Sequence, residues 1–226
     1  MTHDKSHEPL GCPRLSIDRV GRLHGLIKAL IGSQLILAAV FMLGSRAICA
    51  GELVSVKSRN ITQNVYLNST SASPAWIVVL FAGSDGVVAV ADNGPTREQG
   101  NFLVRTASYW TNAGDASVVF DAPSDQVDGM DDEFRLSEAA SQDVAAVMTE
   151  LKRRYPSSRV ALVGTSRGTI TVGNVLLRNP ELADAYVLTS PISVAVRGKP
   201  GLSGVSWSRN KARVLVLSNE HDGCVA

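Results

Sequence analysis

Val160-Ala161-Leu162-Val163-Gly164-Thr165-Ser166-Arg167-Gly168 decides how the rest of this chain is read. Four apolar residues run into G-x-S-x-G, and a stretch with helical pattern follows. That order predicts a strand, a sharp turn and a helix in series, with the serine at the apex. The glycines permit the turn, because a Cβ at either flank would crowd the strand or helix beside it. The turn lifts the Ser166 hydroxyl above the sheet edge, where a base can reach it. Ser166 is therefore the candidate nucleophile. The bland alternative is a serine that caps a helix N-terminus. A phosphate cradle is excluded, because the chain contains no G-x-x-x-x-G-K-[ST].

Outward from this turn, apolar runs alternate with amphipathic stretches. Trp76–Phe81, Ala116–Phe120, Arg159–Val163, Ala185–Ser190 and Arg213–Ser218 read as strands. Asn101–Ala113, Ser137–Arg154 and Ser166–Arg178 read as helices. In the second of these, Ser137 can cap, Glu138 sits in the first turn and Lys152-Arg153-Arg154 fill the last, all matching the helix dipole. Its apolar positions Ala140, Val144, Val147, Met148 and Leu151 recur at helical spacing. Upstream, Glu52–Lys57 and Asn64–Asn68 alternate like short half-buried strands. The later strands are continuous apolar runs, the pattern of strands covered on both faces. The fold class is therefore α/β, a doubly wound, mostly parallel sheet flanked by helices. Ligands of such sheets bind at the carboxyl ends of the strands. The Gly83 loop, Asp121, Ser166, Pro191 and Asp222 all lie just past strand ends. The acid-rich stretch from Asp121 through Asp125, Asp128, Asp131 and Asp132 reads as polar turn, except for Asp121, expected at the pocket mouth. Phe102 and Trp110 are expected in the core.

Three segments resemble the α/β-hydrolase superfamily, over roughly residues 52–226. WIVVLFAGSDG (Trp76–Gly86) is similar to the strand and glycine loop that supply one oxyanion-hole amide. VALVGTSRG (Val160–Gly168) is similar to the nucleophile elbow. RVLVLSNEHDGC (Arg213–Cys224) is similar to the strand and loop that carry the triad acid. The resemblance implies a serine hydrolase, carboxylesterase-like, that cleaves an ester or related acyl bond through an acyl-enzyme on Ser166. It assigns one oxyanion donor to Arg167 and the other to the Gly83-Ser84 region, most simply the Ser84 amide. Ala82 stands where many members carry a histidine. Asp222 is the acid, with Glu220 and Asp121 as rivals. The base does not fall into place. His221 adjoins Asp222 in an extended loop, so the two side chains should diverge, and only four residues follow Asp222. The superfamily's closing strand and C-terminal helix are expected to be missing, which leaves Arg213–Ser218 as an exposed edge. On this reading the chain is a truncated product with little or no activity. The other readings are a non-catalytic exported binding protein on the same fold, or an acyltransferase or peptidase of the superfamily.

Composition sets the remaining bounds. The chain has 226 residues, 45% hydrophobic and 19% charged, which suits one globular domain. Net charge is +1, and no basic patch with interleaved aromatics points to nucleic acid. Residues 1–50 hold six Lys/Arg against three acids, and residues 29–45 form an uncharged apolar run ahead of Ala47-Ile48-Cys49-Ala50-Gly51. This is the layout of a secretory signal peptide. It predicts export, with membrane contact only if residues 29–45 stay uncleaved as an anchor. Residues 51–226 then make up the hydrolase domain. Of Cys12, Cys49 and Cys224, the mature chain keeps Cys224, without a partner in sequence. No dinucleotide fingerprint or metal-ligand spacing occurs, so no cofactor or metal is expected. The expected partner is a small-molecule acyl substrate.

Overall fold

The computed structural model describes residues 51–208 and 210–220. The leader, His221, the proposed acid Asp222 and Cys224 lie outside them. In chain order the elements are β1 (Glu52–Ser58), β2 (Ile61–Ser69), β3 (Trp76–Phe81) and a minimal hairpin, β4 (Val90–Ala91) with β5 (Gly94–Pro95). Then come α1 (Phe102–Arg105), α2 (Ala107–Asn112), β6 (Ala116–Phe120), α3 (Asp132–Leu136), α4 (Glu138–Arg154), β7 (Arg159–Thr165) and α5 (Gly168–Arg178). After a 3-10 turn at Pro180–Leu182 follow β8 (Ala185–Thr189) and β9 (Val214–Leu217).

Seven strands form one sheet in the order β1-β2-β6-β3-β7-β8-β9. β1 and β2 pair antiparallel, as do β2 and β6, while the strands from β6 through β9 run parallel. This matches the mostly parallel sheet expected from the apolar runs. Successive side chains of β3 serve opposite faces, as strand geometry demands. Ile77, Val79 and Phe81 join the core cluster that contains Val144, Val147 and Leu151 of α4 with Ile170 and Leu176 of α5. Val78, Leu80 and Ala82 join Val88, Leu103 and Val104 on the other face. Both clusters exclude water from β3, and each fully buried aliphatic side chain contributes about 1.5–3 kcal/mol.

Register brings the strand ends level. Phe81 pairs with Phe120 on one side and Gly164 on the other, Gly164 pairs with Leu188, and Thr189 pairs with Leu217. The loops that follow β3, β6, β7, β8 and β9 therefore leave the sheet along one rim.

Several elements depart from expectation. The helix expected over Asn101–Ala113 is two short helices. It breaks at Thr106 (φ −98°, ψ 3°), whose hydroxyl donates to the Phe102 carbonyl at 2.7 Å. That local bond offers the backbone an alternative to the helical ladder. Phe102 is half exposed rather than in the core, whereas Trp110 packs partly buried against it. The polar turn around Asp131 is the helix α3, capped by the Asp131 carboxylate, which accepts from Phe134 N–H at 2.8 Å. α4 begins at Ser137 as expected, its hydroxyl accepting from Ala140 N–H. β9 is the sheet edge, and its four residues are 41–54% exposed.

Candidate active site

The turn after β7 is built as its sequence implies. Ser166 has φ +50°, a left-handed conformation that L-residues seldom take. Its N–H donates to the Thr189 carbonyl at 3.0 Å, and its own carbonyl accepts from the Thr169 N–H at 3.0 Å and the Thr169 hydroxyl at 2.5 Å. The strained residue is thus clamped on both sides, which is how such conformations persist. α5 consequently starts at Gly168 rather than Ser166. A Cβ on Gly164 would lie 2.6 Å from the Gly168 carbonyl oxygen. A Cβ on Gly168 would overlap the Phe81 carbonyl and lie 2.7 Å from that of Ala82. Both glycines are required by backbone passing close to backbone. The Ser166 side chain remains partly exposed at the rim.

The loop after β3 comes to meet it. A Cβ built on Gly83 would be 3.0 Å from Ser166 Cβ and 3.5 Å from Ser166 Oγ, so the Gly83 backbone lies directly against the serine. Gly86 N–H closes a turn onto the Gly83 carbonyl at 3.0 Å, and Ser84 inside it has φ +51°. Neither the Ser84 N–H nor the Arg167 N–H is a donor in any hydrogen bond among the described residues. Ser166, Gly83, Ser84 and Arg167 are therefore one cluster, with two backbone donors left unengaged.

Sequence reasoning missed two charged side chains packed against this cluster. Asp132 is buried and accepts from Arg167 Nε at 2.8 Å and Nη2 at 2.5 Å. Its second oxygen accepts from Gly201 N–H at 3.0 Å. Arg135 is wholly buried and donates to three acceptors: the Met130 carbonyl (3.2 Å), Thr171 Oγ1 (3.2 Å) and the Ser84 carbonyl (3.3 Å). Burial, reinforced by the nearby Arg167 charge, pushes the Arg135 pKa down to about 10, which leaves it cationic at neutral pH. The cap pattern of Asp131 followed by Asp132 and Glu133 was the available signal for α3.

Asp121 is not at a pocket mouth. It is 7% exposed, and its carboxylate accepts from the N–H groups of Val88, Ala89, Val90 and Ala122 at 2.8–3.0 Å. With its oxygens so engaged it holds the Val88–Val90 segment, and it is no rival for the triad acid. Glu220 is exposed beyond β9. None of the described residues is a histidine. A cleft of about 560 Å³ opens elsewhere, between Leu176, Leu177 and Pro180 on one side and Ser206, Trp207 and Asn210 on the other. Leu176 lies about 15 Å from Ser166 along the chain at helical rise, so this cleft is not part of the serine cluster.

No protein-family model matches the chain, and no curated protein matches its sequence. Solved structures do match. An acylaminoacyl peptidase of Pyrococcus horikoshii superposes with a TM-score of 0.55 at 14% identity, over 79% of this chain and 33% of that one. A lipase/esterase of Lactobacillus plantarum gives 0.53 at 15% identity, over 77% of this chain and 79% of that one. A serine hydrolase without lid from Xanthomonas campestris gives 0.51 at 14% identity, over 75% and 71%. The shared feature is the fold, and it is that of the α/β-hydrolases.

Proposed function

We propose that this α/β-hydrolase fold is a serine hydrolase that cleaves an ester or related acyl bond through an acyl-enzyme on Ser166. One observation carries the reading: a strained Ser166 stands against Gly83, with the Ser84 and Arg167 amides unengaged beside it. A structural helix cap needs no positive φ and no second loop pressed against it.

The steps follow from this arrangement. Ser166 Oγ attacks the acyl carbon, its proton passes to a base, and the carbonyl oxygen becomes an oxyanion. The Ser84 and Arg167 N–H groups donate to that oxyanion. Preorganised donors of this kind are each worth about 3 kcal/mol of barrier. Collapse of the intermediate expels the alcohol or amine with a proton from the same base. Water then attacks the acyl-serine by the reverse sequence of proton transfers. Asp222 is the acid that orients the base. The base is supplied from outside the described residues. The Gly83 backbone, directly against Ser166, walls one side of the reacting centre.

The rival reading is a binding module on the same fold. p-Nitrophenyl acetate separates the two readings, because its leaving group departs without needing a proton. The hydrolase reading predicts a burst of p-nitrophenol approaching one equivalent per folded chain, lost in Ser166→Ala. Equal release by both proteins would favour the binding module.

A further inference from the structure

The two residues that sequence reasoning missed lie one helical turn apart, and each reaches a different half of the serine cluster. Positions i and i+3 share a helix face, so Asp132 and Arg135 both point from α3 into the protein, where each is almost inaccessible to solvent. Buried charges are expensive unless each of their polar atoms finds a partner. Asp132 meets that condition through Arg167 and Gly201. Arg135 meets it without a carboxylate: no acid lies within ion-pair distance of it among the described residues. Its guanidinium instead spans from Thr171 on α5 to the Ser84 carbonyl in the loop after β3.

We propose that α3 is a brace for the oxyanion hole, with Asp132 holding the Arg167 amide and Arg135 holding the Ser84 amide. The proposal rests on the assignment of Ser166 as nucleophile.

Geometry supports each arm. Ser84 adopts φ +51°. The Arg135 donor on its carbonyl holds the Ser84–Asp85 peptide plane, while Gly86 N–H on the Gly83 carbonyl holds the plane that carries the Ser84 N–H, so the two bonds together keep the turn from relaxing. The loop closes over the guanidinium with no space left. A Cβ on Gly86 would lie 2.5 Å from Arg135 Nη2, and Gly86 itself has φ +76°. On the other arm, two donors of the Arg167 side chain converge on one Asp132 oxygen, which tethers the residue that carries the other proposed oxyanion donor. Packing alone would be served as well by apolar side chains of similar volume, often at a gain in stability. A planar, rigid fork anchored on three oxygens supplies orientation, which apolar side chains do not. Both residues are positioning residues, since neither reaches the reacting atoms.

The test uses the full chain with Arg135→Met, Arg135→Lys, Thr171→Val and Asp132→Asn. Two quantities are read: the rate of Ser166 labelling by a fluorophosphonate, and hydrogen exchange of the Gly86 amide, which reports closure of the loop turn. Loss of a whole oxyanion donor costs about 10²–10³ in rate, so a misplaced donor should cost about tenfold or more. Arg135→Met is expected to slow labelling by that factor and to accelerate Gly86 exchange. Arg135→Lys should recover part of both. Asp132→Asn should slow labelling while leaving Gly86 exchange unchanged, because it acts on the opposite arm. If Arg135→Met does not fold, Thr171→Val, which removes one of the three acceptors, should shift both readouts in the same direction by less. Labelling within twofold of wild type in the Arg135 or Thr171 variant and in Asp132→Asn, with Gly86 exchange unaltered, overturns the brace. If the folded wild type is not labelled at Ser166, the nucleophile assignment fails. The oxyanion-hole brace then falls with it, whereas labelled wild type with unaffected variants overturns the brace alone.

Discussion

At the scale of single residues, the site is backbone geometry more than side-chain chemistry. Ser166 stays at φ +50° because Gly164 and Gly168 let α5 approach β7 and β3. Gly168→Ala would drive a methyl group into the Phe81 carbonyl. Overpacking against backbone typically costs about 1–3 kcal/mol and sometimes more. The expected result is a fall of about 3 kcal/mol in stability by urea unfolding, with Ser166 reactivity lost in whatever folds. An unfolding midpoint like that of wild type would contradict the close approach. Ser166 was legible as a turn apex because the glycines and the apolar run beside it are local information, whereas Gly83, Ser84 and Arg167 entered as donors only through the family resemblance. Arg135 was not legible, since its role depends on a carbonyl 51 residues away in sequence.

At the scale of elements, the strands were legible because burial on both faces leaves continuous apolar runs. β3 and β6 fall where those runs fall. Two kinds of element escaped. The break at Thr106 comes from a side chain competing for the Phe102 carbonyl, which periodicity does not register. α3 was hidden because acids that cap and open a helix look, in composition, like a polar turn. Asp121 shows the same ambiguity: an acid past a strand end can line a pocket or tie a loop. Here it ties one, and Asp121→Ala would leave four backbone N–H groups without their acceptor. A buried donor left unpaired costs about 1–3 kcal/mol. The variant should lose roughly 3 kcal/mol and show accelerated amide exchange across Val88–Val90, with Asp121→Asn intermediate. Wild-type exchange in that segment would contradict the assignment.

At the scale of the molecule, the sheet is protected unevenly. β1 and β2 form one margin with alternating burial, while β9 forms the other with Val214, Leu215, Val216 and Leu217 all half exposed. An exposed apolar edge strand is a template for pairing with another chain. Sedimentation should show concentration-dependent self-association, reduced in Val216→Lys without loss of thermal stability. A wild type that sediments as a monomer at high micromolar concentration would contradict this. The edge position expected for β9 agrees with the sheet order among the described residues. Asp222, the expected acid, falls outside the described residues, as does His221, and the sequence assigned no residue as the base. What the fold does establish is one rim where the loops after β3 and β7 meet at a strained serine. The most direct measurement of whether that serine is a nucleophile is mass-spectrometric mapping of a fluorophosphonate adduct on the folded full-length chain, beside Ser166→Ala. We expect one adduct per chain, on Ser166, absent from the variant. A folded wild type without an adduct, or an adduct of equal yield in Ser166→Ala, would contradict the account.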